Sequence, residues 1–194
     1  MNLGTIANYC WNNRVTVPFG STEEWEEKTF LKGWFCQKRP NVWIGGSDRP
    51  GWYWFELKLP LSEITSIQKP SDLSERSCDF GGTATQNHRL FGRDVCQKKS
   101  QLAVVYNGHE ANVLSRIRAH FAVDNKFTGA LGIKKYGLSW AKWRISFFLR
   151  QHIDNEIDAQ DREKIVSICN SKTGRIAIEQ LWRSKYGWPL FCKV

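Results

Sequence analysis

Apolar and polar positions alternate from Tyr53 onward: Tyr53, Phe55, Leu57 and Leu59 fall on one side of an extended segment running from Gly51 to Leu59, which Pro60 ends. A second strand is predicted where Leu102-Ala103-Val104-Val105 forms a short continuous apolar run leading into Tyr106. The pattern then changes period. Val113, Leu114, Ile117 and Phe121 make a helical stripe from Asn112, a suitable N-cap, to about Ala122. A third strand is predicted within Trp140 to Leu149, where Trp143, Ile145 and Phe147 share one face. Lys142, Arg144 and Ser146 lie opposite, so that face is expected to meet solvent. Asp158 to Asn170 reads as a polar helix broken by Gly174. Arg175 to Lys185 reads as a second helix, ended by Tyr186-Gly187-Trp188-Pro189.

Other stretches carry no sustained period. Residues 1–50 mix aromatics, charges and turn formers. Within them Glu23 to Phe35 predicts a short helix capped by Ser21 or Thr22, and Gly45 to Pro50 a loop. Residues 60–100 read as an insertion of loops and short elements, and 123–139 as a loop. The order strand, strand, helix, strand, helix gives an α+β class for the one domain that 194 residues suggest.

Charge changes this picture more than size does. Twenty-eight Lys and Arg against 19 acids leave a net charge of +9, which favours a polyanionic partner, nucleic acid first. Ten Trp, eleven Phe and five Tyr supply a core and, beside basic residues, could also stack bases. The six cysteines form no C-x-x-C pair, and the spacing of Cys78, His88 and Cys96 fits no common zinc finger. No signal peptide or membrane-length apolar run is present, so a cytoplasmic protein is expected.

The candidate chemistry sits at Tyr106-Asn107-Gly108, followed by Arg116 and His120. Gly108 is expected to turn the chain from strand to helix, and Arg116 and His120 share a helix face at i, i+4. A tyrosine, an arginine and a histidine brought to one point can bind and cleave a phosphodiester.

These motifs resemble the GIY-YIG nuclease superfamily. Tyr106-Asn107-Gly108 is similar to the second name-giving tripeptide, and Gly51-Trp52-Tyr53 to the first. Asn112 through Phe121 is similar to the family's N-L-x-x-R-x-x-x-H/Y helix, and Ala177 through Leu190 to its glutamate-bearing helix. Tyr53 and Tyr106 are 53 residues apart, wider than usual, with 60–100 as the intervening insertion. Cys192 stands where relatives often have asparagine, and His109 where they often have lysine or serine.

The resemblance implies a small, mainly antiparallel three-stranded sheet flanked by helices, an α/β sandwich with residues 1–50 as an N-terminal extension. It implies a restriction-type or stand-alone endonuclease acting on double-stranded DNA. Tyr53 would be the base for an attacking water, Arg116 would hold the phosphate, and Tyr106 and His120 would position water or phosphate. Glu179 would ligate a single Mg²⁺, for which Mn²⁺ could substitute. His109, Arg118, Lys134 and Lys135 are candidate substrate contacts. The oligomeric state stays open, a homodimer included. A second reading also stays open: a nucleic-acid-binding protein that keeps the scaffold without the activity.

Overall fold

The computed structural model describes residues 1–17, 49–96, 102–122 and 129–193. It is a mixed α+β fold whose described elements are a four-stranded antiparallel sheet and six α-helices. In chain order these are α1 (Leu3–Asn12), β1 (Val15–Val17), β2 (Gly51–Lys58), α2 (Leu61–Thr65), α3 (Phe80–Phe91), β3 (Leu102–Glu110), α4 (Val113–Ala122), β4 (Trp143–Leu149), α5 (Ala159–Asn170) and α6 (Lys172–Tyr186). The strand order is β1-β4-β2-β3.

The sheet has four strands, not the three expected, because Val15–Val17 of the N-terminal region pairs with Ile145–Phe147 of β4. The predicted helix at Glu23 to Phe35 lies outside the described residues. The insertion is more ordered than its pattern suggested. It contains α3, a twelve-residue helix capped by the Asp79 side chain. Asn87 of that helix is buried and donates to the carbonyls of Leu190 (2.9 Å) and Cys192 (2.8 Å), fixing the C-terminal segment. Phe191 in turn donates its N–H to Val105 at 2.6 Å, so that segment runs along β3.

Both faces of the sheet are covered. Phe55, Leu57, Ile145 and Phe147 pack with Ile117 and Phe121 of α4 and Phe80 of α3. Trp52, Trp54 and Phe148 pack on the other side with Trp11 of α1, Ile165 of α5 and Ile178 and Trp182 of α6. The exposed face expected for β4 is therefore absent: Ser146 and Phe148 are fully buried, and Arg144 pairs with the buried carboxylate of Glu56. Strand β4 also starts later, at Trp143, after a 3₁₀ turn over Trp140–Lys142.

The helix break sits at Ser171 rather than Gly174. Ser171 ends α5, and its hydroxyl accepts the Gly174 N–H to cap α6. Trp52 Nε1 donates to the Arg175 carbonyl at 2.9 Å and anchors α6 to β2. Among the described residues no helix is long and apolar enough to cross a membrane.

Candidate active site at the edge of the sheet

Tyr53 on β2 pairs with Gly108 on β3, and Phe55 with Tyr106, so both tyrosines leave the sheet on the same face. Gly108 was expected to form the turn. It lies instead inside β3, which continues to Glu110, and its φ is not positive. Its role is space: a Cβ there would lie 2.5 Å from the Tyr53 hydroxyl and 2.7 Å from Cζ. Only glycine lets that ring lie across the neighbouring strand.

Helix α4 begins where predicted. The Asn112 side chain accepts the Ser115 N–H at 3.1 Å, and the apolar stripe Val113, Leu114, Ile117, Phe121 is buried against the sheet. This turns His120 inward, where it is wholly buried. The Leu131 N–H donates to His120 Nδ1 at 3.1 Å, so the ring proton is on Nε2. Nε2 sits 2.9 Å from the Tyr53 hydroxyl and donates to it. Ring centroids of Tyr53 and Tyr106 are 6.2 Å apart, and those of Tyr106 and His120 4.9 Å apart.

Arg116, one turn before His120, acts on Tyr53 by charge and hydrogen bonding, and on Tyr106 by charge. Burial pushes the Tyr53 phenol well above its ordinary value and Tyr106 up beyond the usual range. Arg116 opposes both shifts, and a Tyr53 hydrogen bond opposes that of Tyr106. Burial holds His120 well below its ordinary value, with Arg116 adding to the effect, so the imidazole is neutral.

Glu179 and the residues around it come from α6, which packs on the other face and meets β3 at Asn107. Burial raises the Glu179 carboxyl, while Arg183, an i, i+4 ion pair with it, pulls the other way. Arg183 also donates from Nε to Asn107 Oδ1 at 2.9 Å. Cys192 is buried with its sulfur 3.5 Å from both the carbonyl and the side-chain oxygen of Asn107. Glu179 lies close enough to raise both tyrosines by its charge. Of the five expected site residues, Tyr53, Tyr106, Arg116 and His120 cluster on the α4 face, while Glu179 on α6 contacts Arg183 and His109. Tyr106 opens into a cavity of about 330 Å³ lined also by Arg76, Arg183, Leu131, Cys192 and Lys193.

No protein-family model, curated protein or solved structure matches this chain. What the site can do therefore rests on its own geometry.

The expected substrate contacts divide. His109 faces the α6 side of the sheet, with Nε2 3.8 Å from Glu179 Oε2. Burial, with Arg175 next, lowers it to about 4, so at neutral pH it would meet a phosphate as a neutral hydrogen-bonding group. Lys135 is held by Asp72, 3.0 Å from its carboxylate, and that turn presents Gly129 and Leu131, not Lys134 or Lys135, to the cavity. Arg118 is half-buried and does not line the cavity. Sequence reasoning missed Arg183, Arg76 and Lys193. The Glu179/Arg183 spacing at i, i+4 was the available signal for Arg183. Arg76 and Lys193 lie in stretches without periodicity and carried none.

Among the described residues no cluster of three or more His, Cys, Asp or Glu is arranged to hold a metal. A divalent cation here would have one protein carboxylate. Glu179 Oε1 is engaged by Arg183, whereas Oε2 lies outside hydrogen-bond range of His109. One carboxylate oxygen, completed by water and substrate phosphate, suits Mg²⁺.

Proposed function

We propose that this protein is a Mg²⁺-dependent DNA endonuclease of GIY-YIG type. The observation supporting the proposal is the buried Tyr53, Tyr106, Arg116 and His120 cluster, whose Tyr106 reaches a cavity lined by Arg76, Arg183 and Lys193. In this reading a phosphodiester enters the cavity with its non-bridging oxygens toward Arg116, whose donors match them. Burial holds the Tyr53 phenol protonated, and the two N–H groups directed at its oxygen, from His120 and Arg116, would have to stabilise the phenolate against that shift. The Tyr53 proton leaves through the Tyr106 hydroxyl to the cavity. The phenolate then accepts a proton from the attacking water as its oxygen bonds phosphorus and the P–O bond to the leaving sugar breaks. Bound through Glu179 Oε2, Mg²⁺ would neutralise charge on the leaving oxygen.

Purified protein should nick or cut duplex DNA in Mg²⁺. Arg116→Ala and Glu179→Gln should each lower the rate by about 10² to 10³ with the fold intact by circular dichroism. Wild-type cutting by both variants would sink the assignment of the site. A second reading is a binding protein without cleavage. It is favoured by the Arg183 guanidinium on Glu179 and by Cys192 at the position that GIY-YIG enzymes often fill with asparagine. Salt-sensitive DNA binding with no product in Mg²⁺ or Mn²⁺ would select it.

A further inference from the structure

A second depression adjoins the site. It holds about 550 Å³ between the end of the insertion and the end of α6, and Arg183 lines both it and the Tyr106 cavity. Its floor is built by backbone pairing. Trp188 donates its N–H to Asp94 at 2.7 Å, and Cys96 donates to the Trp188 carbonyl at 3.0 Å. Gly187 permits this approach, since its φ is +100° and a Cβ would lie 2.4 Å from the Asp94 carbonyl oxygen. The Trp188 ring stacks on Phe91 with centroids 4.8 Å apart and carries the Arg183 guanidinium 4.7 Å from its own centroid. The wall that presents Arg183 is therefore pinned by contacts from both segments.

Its charge is one-sided. Arg93 and Lys185, both exposed, flank the groove, and Arg76 and Lys193 line the other depression, with Arg183, ion-paired to Glu179, between them. Among the described residues Asp94 is the one acid lining either. Lys185 contacts the neutral amide oxygen of Asn8 at 2.7 Å and keeps its charge available. By contrast, the depression between α2 and α3 has Lys69 and Arg89 beside Asp79 and does not join the site.

We propose that the groove between Arg93 and Lys185 binds the sugar–phosphate backbone of the cut strand next to the scissile phosphate, so that the DNA track crosses Arg183. This rests on the nuclease reading and extends it. The charge is complementary to phosphate. Trp188 is already occupied by Phe91 and Arg183, which argues for backbone contact rather than base stacking.

The test is the affinity of the full-length protein for a short duplex, measured by anisotropy in EDTA across a salt series. For the double variant Arg93→Ala/Lys185→Ala, the slope of log K against log[salt] should fall in magnitude by about 1.8, which is about 0.9 for each phosphate no longer neutralised. The control pair Lys69→Ala/Arg89→Ala should leave it unchanged. With Mg²⁺ and subsaturating DNA, kcat/KM of the Arg93→Ala/Lys185→Ala variant should fall by the factor by which its Kd rises, and that of the control pair should match wild type. Equal slopes for the two pairs, whether both reduced or both unaltered, would overturn the groove. If the wild type cuts DNA in that case, the nuclease reading stands without the groove. If the wild type neither binds nor cuts, both fall together.

Discussion

At the scale of single residues, Gly108 shows how one atom decides the site. The Tyr53 ring crosses β3 because the residue opposite has no side chain. From there its hydroxyl meets the N–H of His120, whose tautomer is fixed by the Leu131 amide behind it. Gly108→Ala would force either the ring or the strand to move, and the nearest atoms belong to a ring packed in the core. Overpacking of this kind costs about 1–3 kcal/mol. If Tyr53 is the base of the proposed nuclease, a displacement of about 1 Å there can cost 10²-fold, and cutting should fall further than stability does. Denaturant titration and single-turnover cleavage of the variant measure the two effects separately. Unchanged values for both would show that the ring does not depend on that space.

Among elements, the α5–α6 corner sets where Glu179 and Arg183 meet β3. Gly174 lies in the first turn of α6, where alanine would ordinarily gain about 0.5–1 kcal/mol in helix propensity. Here a Cβ would lie 2.8 Å from the Ile168 carbonyl oxygen, a backbone atom of α5 that cannot rotate away. Gly174→Ala should therefore destabilise the protein by about 1 kcal/mol or more despite its propensity, read as a lower denaturation midpoint. A higher midpoint would mean that the corner is loosely packed.

The same elements show what the sequence made legible. Strand β2, helix α4 with its Asn112 cap and helix α6 followed from periodicity, because each presents strong apolar residues at regular positions. Helix α3 was hidden because its buried face is Phe80, Gly81, Ala84 and Asn87, mostly small or polar groups that carry little hydrophobic signal. In α1 the stripe of Ile6, Ala7, Cys10 and Trp11 is interleaved with poor helix formers such as Asn8 and Asn12. The proximity of Tyr106 and His120, with Arg116 one turn away, was legible through spacing, whereas Glu179 was a candidate through the resemblance alone. The surrounding cations were not legible, because loop positions and tertiary proximity leave no local pattern.

For the whole molecule, covering both faces of the sheet has consequences for acid stability. Burial lowers His109 and His152 to about 4 and takes His120 well below its ordinary value of 6.5. As pH falls below about 6.5 the unfolded chain takes up protons at these three rings while the folded protein does not. Stability from this source is therefore full above that pH and is lost progressively down toward 4. Glu179 acts in the opposite direction. Its carboxyl is raised from 4.5 in the fold, so the proton it retains there favours the folded state at acid pH, and that contribution is lost as pH rises. Three rings outweigh one carboxyl, and each net proton is worth about 1.4 kcal/mol per pH unit. The guanidinium midpoint should therefore fall from pH 7 to pH 5. His152→Gln, outside the proposed site, should make that decline shallower by up to one proton's share. A midpoint that is flat or rises on acidification would mean that the three imidazoles are protonated in the folded protein, and with a charged His120 the hydrogen bond from Leu131 that orients it toward Tyr53 could not exist.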